Sequence, residues 1–145
     1  MTAFIIAAQY AAARAAQQEE RLHVLRAGNY QLDAVYLDAY GAPPLALPEG
    51  TDMYRSLFSA CPDGDLAVTR TIAGVEVVVQ EWTFSGTHSR RAGHWALRGQ
   101  RHDQPTGSKV RLRGVSLYDI VGGRIQRETI YLDHATFLVE LGGLP

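Results

Sequence analysis

Asp133 and His134 stand side by side in "ETIYLDHATFLVELGG", residues 128 to 143, where a strand-like run gives way to a helix-like one. A carboxylate at such a junction can cap the helix by accepting from its first free N–H groups. Set instead in an apolar cavity, it becomes a proton donor or acceptor of useful strength. Strand alternation puts Ile125, Arg127, Thr129, Tyr131 and Asp133 on one face and Gln126, Glu128, Ile130 and Leu132 on the other. Either set could line a pocket. The Tyr131 and Asp133 set mixes aromatic bulk with a titratable group, as small-molecule pockets do. Along "EWTFSGTH", Trp82, Phe84, Gly86 and His88 share a face in the same way. His88 reads either as a catalytic imidazole or as a structural one bonding the strand end. His134 has the opposite parity to Asp133 and reads as facing outward or toward a partner chain.

Trp82, Tyr118 and Tyr131 are the aromatic strand positions suited to a flat aromatic ligand, whereas Tyr36 and Tyr54 lie on helical stripes and read as core. Asp38, with Asp63 and Asp65 in "CPDGD", offers a paired-carboxylate arrangement, although Asp63 alone reads as a turn residue. His94, His102 and Asp103 match no metal spacing, and no metal site is expected. There is no Gly-rich phosphate loop, nucleophile elbow or His-Glu metal pair. Hydride transfer, phosphoryl transfer and metal-dependent hydrolysis are therefore poor readings. Cys61 is the single cysteine, so no intrachain disulfide can form, and its place on an apolar stripe before Pro62 reads as a small buried hydrophobe.

The positions of these groups are set by a chain of 145 residues with a net charge of -1. That length fits one domain, residues 1 to 145, with room for a core or an enclosed cavity. The charge gives no global argument for nucleic acid or an anionic membrane. The Ala-rich N-terminus has no basic segment ahead of its apolar run, which Gln9 and Tyr10 interrupt, so it reads as a helix of a cytoplasmic protein.

Eight of the first sixteen residues are alanine, which favours helix. A stripe through Phe4, Ala8, Ala11, Ala15, Leu22 and Leu25 predicts one helix ending at Gly28. Asn29 could cap a second, with Leu32, Val35, Tyr36 and Ala39 on its stripe. Thr51 and Asp52 open a third, carrying Tyr54, Leu57, Phe58 and Cys61. The period then changes to that of strands. Turns are expected at Ala73-Gly74 and at Gly122-Gly123, and a long connection between His88 and Gly107. A short helix follows Asp133. Three helices followed by about four antiparallel strands indicate an α+β fold with a pocket between the layers. An exposed sheet face with Val115 and Leu117 among polar neighbours predicts a homodimer through the sheets.

The ordered set "CPDGDLAV", "EWTFSGTH", "PTGSKVRLRGVSLYDIVGGRI" and "YLDHATFLVELGG" resembles the SnoaL-like polyketide cyclases, members of the nuclear transport factor 2-like superfamily of cone-shaped α+β barrels. The likeness runs from about residue 61 to 143 and is weak in the helical part. It implies a cofactor-independent enzyme of secondary metabolism, such as antibiotic biosynthesis, acting on a polyketide-like small molecule. It also implies an acid/base role for Asp133. A histidine that such cyclases carry on the neighbouring strand falls where this chain has Ser116, which cannot carry protons as an imidazole does. Ser116 and Asp38 remain candidates for substrate contact. Two other activities fit the same scaffold. One is epoxide opening by paired carboxylates, Asp133 with Asp38 or Asp65; the other is non-catalytic binding of a small molecule.

Overall fold

A computed structural model describes residues 2–34, 45–46, 52–90, 105–133 and 135–136. Helix α1 spans Ala3–Ala15, and the Thr2 hydroxyl caps it by accepting from the Ile5 N–H at 3.3 Å. It buries Ala3, Ile6, Ala7, Tyr10, Ala13 and Arg14, a stripe at three-to-four spacing. The predicted stripe lies on a neighbouring face, where Phe4 is 49% exposed. An alanine-rich helix offers similar small apolar surface all round, so the large residues decide which side faces inward. They are Tyr10 and Arg14.

The predicted single helix is broken at Gln17, whose φ is +55°. Helix α2, Glu19–Leu25, buries Leu22 and Leu25 and passes directly into strand β1, Arg26–Ala34. The helix expected from Asn29 is therefore extended chain through residue 34, and its continuation at Val35, Tyr36 and Ala39 lies outside the described residues. Tyr30 and Leu32 are buried at alternate positions, a strand period that the helical stripe had masked. Strand β2, Leu45–Ala46, pairs with β1, and helix α3 covers Asp52–Ala60.

The remaining strands are β3 (Asp65–Ala73), β4 (Val77–Thr87), β5 (Lys109–Val121) and β6 (Arg124–Leu132). Five long strands and the two-residue β2 form one curved sheet in the order β2-β1-β6-β5-β4-β3, against the four strands expected. All neighbours are antiparallel except β1 and β6, which run parallel. The β5–β6 turn is Gly122-Gly123 with φ of +60° and +79°, a left-handed pair that side chains rarely adopt and that suits a two-residue hairpin.

One face of the sheet is covered by helices. Val78, Trp82, Phe84 and His88 point to it from β4, and Val110, Leu112, Ser116, Tyr118 and Ile120 from β5. Phe84 meets Phe58 of α3 edge-on at 5.5 Å, in the preferred geometry for aromatic pairs. On β6 the alternation is interrupted. Ile125, Glu128 and Ile130 are buried, and the register with β5 shifts between Asp119 and Ile120, as an extra residue in one strand requires. No helix among the described residues is long and apolar enough to cross a membrane. The segment after Asp133 is described only at Ala135 and Thr136, so the rest of the expected last helix lies outside.

Candidate functional site

The alternation that the β6 irregularity sets places Glu128 on the helix-covered side, fully buried, with Arg14 of α1 opposite at 3% exposure. Arg14 Nη1 donates to Oε1 at 2.8 Å and to Oε2 at 2.9 Å. Three hydroxyls also donate to the carboxylate: Tyr30 at 3.2 Å, Tyr54 at 3.1 Å and Ser116 at 3.0 Å. Five contacts fill the roughly four lone-pair sites that an ionised carboxylate offers. Glu128 thus organises donors from α1, β1, α3 and β5.

The arginine side of this network is built from aromatic rings. The Arg14 guanidinium lies 3.7 Å from the Tyr54 ring centre and 4.6 Å from that of Tyr10, and its Nη2 donates to the Tyr10 hydroxyl at 2.8 Å. Burial by itself would lower the Arg14 pKa. The Glu128 charge, together with contributions from Tyr10, Tyr54 and Tyr118, more than offsets this, leaving the guanidinium firmly protonated, well above its ordinary value. Burial, with the Glu128 charge adding to it, pushes the Tyr54 and Tyr118 hydroxyls well above the ordinary tyrosine value. They are neutral hydrogen-bond donors, not phenolates.

Trp82 connects the network to a recess. Its Nε1 donates to the Ser116 hydroxyl at 3.0 Å, which in turn donates to Glu128. The indole lies flat over Gly114, where any Cβ would collide with the ring. Ala11, Arg14, Tyr54, Leu66, Val68, Gln80, Trp82 and Tyr118 enclose a recess with about 20 Å³ of space for a water centre, which is room for one water. Trp82 and Tyr118, expected from sequence as ligand-facing aromatics, share this wall, and Ser116 lies just behind them. Epoxide opening needs two carboxylates together, but Glu128 is the single buried carboxylate among the described residues and faces an arginine. Asp65 is exposed at the start of β3.

Asp133 and Tyr131 lie on the opposite side of the sheet from Glu128. Tyr131 is 50% exposed. The Asp133 carboxylate accepts from the Thr136 hydroxyl at 2.8 Å and the Thr136 N–H at 3.2 Å, with Arg113 at 3.8 Å. These hydrogen bonds, with Arg113 assisting, hold its pKa below the usual carboxylate value. Its position is that of a cap. With Thr69, Glu81, Trp82 and Arg113, these two residues line an open groove of about 420 Å³. Of the two sets that alternation left open on β6, the helices thus cover the one with Glu128 and Ile130, and Tyr131 and Asp133 lie on the other side.

His88 is buried at the far end of the Trp82 face. Its Nδ1 lies 3.2 Å from the Thr106 hydroxyl, and its Nε2 has no hydrogen-bond partner among the described residues. Burial lowers its pKa. Six residues along β4 separate it from Trp82, roughly 20 Å of strand. Asp63 accepts from the Thr87 N–H at 2.7 Å, a turn role. Cys61 is buried, and burial pushes its thiol up to about 11. Asp38, Tyr36, His94, His102, Asp103 and His134 lie outside the described residues. No cluster of three metal-binding side chains occurs among the described ones.

Sequence reasoning passed over Glu128, Arg14, Tyr30 and the hydroxyl of Tyr54. A signal existed for one of them. Arg14 is an arginine amid alanines, four residues from Tyr10, and so on the same helix face as the largest apolar group of α1.

The SnoaL-like polyketide cyclase family model matches residues 6–141. A search of curated proteins finds no match. Among solved structures, AclR, a proposed hydroxylase from Streptomyces galilaeus, is similar with a TM-score of 0.76 and 19% identity over 97% of this chain and 85% of that one. IdmH, a proposed polyketide cyclase from Streptomyces antibioticus, gives 0.73 and 21% over 94% and 96%. A protein of ketosteroid isomerase-like fold from Catenulispora acidiphila, in complex with trimethylamine, gives 0.67 and 15% over 97% and 93%. At such identities the structural likeness establishes the fold, and the family match spans nearly the whole sequence. The chain belongs to the SnoaL-like polyketide cyclase family.

Proposed function

We propose that this protein closes or isomerises a ring on a polyketide-like small molecule, without a cofactor, using the Arg14–Glu128–Tyr54–Ser116 network on the helix-covered side of the sheet. The observation that carries the reading is Glu128, buried and held by four donor side chains directly behind a recess walled by Trp82, Tyr118 and Tyr54. A methylene between two carbonyls enolises readily by itself. Ring closure then needs the chain folded so that the enol carbon meets the second carbonyl. It also needs donors where negative charge develops on that carbonyl oxygen. Arg14 supplies a fixed positive charge beside the recess. The Tyr54 hydroxyl can take the enol proton while giving its own to the new alkoxide, so that protons balance and Glu128 remains ionised throughout. In this reading the reacting carbonyl oxygen takes the one-water space against Trp82 and Tyr118, the protein works as one domain, and the substrate is a small molecule.

A second reading keeps acid/base chemistry at Asp133, favoured by the groove of about 420 Å³ where Asp133 and Tyr131 meet the edge of Trp82. Turnover of an aromatic polyketide precursor by Tyr54→Phe and Asp133→Asn separates the two. Loss of about 10²-fold or more in kcat with Tyr54→Phe, the usual scale for an oxyanion donor, and retained turnover with Asp133→Asn support the network. The reverse pattern assigns the chemistry to Asp133.

A further inference from the structure

Gln80 stands on β4 between β3 and β5, with Thr71 and Ser116 as its register partners. Strand alternation puts its side chain on the helix-covered face with Val78 and Trp82. Gln80 is 2% exposed, and no hydrogen bond joins its carboxamide to another described residue. A primary amide brings two donor hydrogens and an acceptor oxygen, and burying such a group without partners opposes folding. The polar groups beside it are committed elsewhere, Trp82 Nε1 to Ser116 and the Tyr54 hydroxyl to Glu128.

The space next to Gln80 is the recess that it lines with Arg14, Tyr54, Trp82 and Tyr118, large enough for one water or one oxygen atom. The Arg14 charge is answered by Glu128 at 2.8 Å, and no carboxylate among the described residues lines the recess. Its walls are therefore polar without net charge, which suits a neutral oxygen better than an anion. Leu66 and Val68 close the recess on the side of the edge strand β3, and Val68 is 41% exposed. A hydrocarbon frame can lie across these two apolar residues, outside the recess, while a single oxygen reaches inward.

We propose that Gln80 is a substrate-binding residue whose amide N–H donates to the carbonyl oxygen in this recess, so that the group admitted is a neutral ketone or enol rather than a carboxylate. The inference rests on the ring-forming reading above and adds to it the residue that holds the reacting oxygen. A carboxamide serves both forms of such a group. Its N–H donates to a ketone, and its Oε1 accepts from an enol O–H. The amide left unpaired in the empty recess is then satisfied when the substrate oxygen arrives.

The test is a binding measurement on the whole protein with 2-tetralone, a ring ketone, and tetralin, the same skeleton without oxygen, before and after Gln80→Met. Methionine keeps the unbranched stem of glutamine and removes the amide. The substitution should weaken 2-tetralone relative to tetralin by about three- to tenfold, the worth of one neutral hydrogen bond. The infrared carbonyl stretch of bound 2-tetralone should move to higher frequency in the variant, a readout that a merely structural residue would leave alone. Because no bond within the fold is lost, Gln80→Met should melt at or above the temperature of the unaltered protein. Unchanged relative affinity, a carbonyl band at one frequency in both proteins, or no binding of 2-tetralone would overturn the proposal. So would a variant that melts clearly lower or fails to fold, since that marks the amide as a bonded part of the fold. None of these measurements needs turnover, so failure of the ring-forming reading, seen in the kinetics of Tyr54→Phe, is visible separately.

Discussion

Arg14 and Glu128, 114 residues apart in sequence, are joined by hydrogen bonds of 2.8 and 2.9 Å in the interior, where neither side chain is more than 4% exposed. The pair ties the first helix to the last strand and carries the hydroxyls of Tyr30, Tyr54 and Ser116 with it. A buried ion pair is weak evidence of stability by itself, since desolvation opposes the attraction. Its asymmetry is the informative part. Glu128→Gln leaves Arg14 charged and buried beside Arg26 and should cost about 3–5 kcal/mol, whereas the double variant Arg14→Met/Glu128→Leu should recover most of that loss. Urea unfolding of the three proteins checks this, and a double variant no more stable than Glu128→Gln would contradict it.

Gly114 and Trp82 form a second dependency. They are register partners on β5 and β4, and the indole occupies the space a Cβ would take. Gly114→Ala should therefore tilt Trp82, break its hydrogen bond to Ser116 and move the indole toward water. The readout is a red shift and stronger quenching of tryptophan emission, with Trp82→Phe as the control that removes the responding ring. An unchanged spectrum would mean that the sheet, not the indole, gives way.

His88 predicts a pH dependence. Burial sets its folded-state pKa below the ordinary value of about 6.5, so the unfolded chain binds the proton more readily than the native one. Stability from this group is complete above pH ~6.5 and falls as the pH drops through the folded-state value. His88→Gln should flatten the melting temperature between pH 7 and pH 5 relative to the unaltered protein. A slope that persists in the variant would place the dependence elsewhere. Asp133 and Asp63, whose pKa values are lowered mainly by hydrogen bonds from Thr136 and Thr87, act only further down, losing their contribution as the pH falls below about 4.

Much of the sheet was legible because its signals are local. Alternation through Trp82, Phe84 and His88, and through Leu112, Ser116 and Tyr118, reads directly as one covered face, and Gly122-Gly123 marks its own turn. The N-terminal third was not, because Leu32 fits a helical stripe as well as a strand. What settles residues 26–34 as β1 is parallel pairing with β6, nearly a hundred residues away. The site failed to read out for a related reason. Simple alternation on β6 joins Asp133 to Thr129 and Ile125, but the bulged register joins Ile125 to Glu128 instead. Alternation already sets Glu128 apart from Asp133 and leaves open which of them the helices cover; the extra residue near 126 puts Ile125 on the Glu128 side and so removes it as a guide.

The outer face of the sheet leads to the last prediction. Ile72, Val79 and Leu117 follow one another across β3, β4 and β5, and Ile72 is 53% exposed, with Val77, Val121 and Tyr131 also open to solvent. Arg70, Glu81, Arg111 and Arg113 edge this apolar strip, a polar rim about an apolar centre as in subunit interfaces. A two-fold contact through such a face sets each strip against its own copy, so a charge placed at its centre meets the same charge across the axis. Leu117→Glu, half-buried on the outer side and so across the sheet from the Glu128 network, should convert a homodimer into a folded monomer with an unchanged circular dichroism spectrum. Light scattering at micromolar concentration gives the answer. A monomer before substitution, or a dimer that survives Leu117→Glu, would show that the sheets are not the contact.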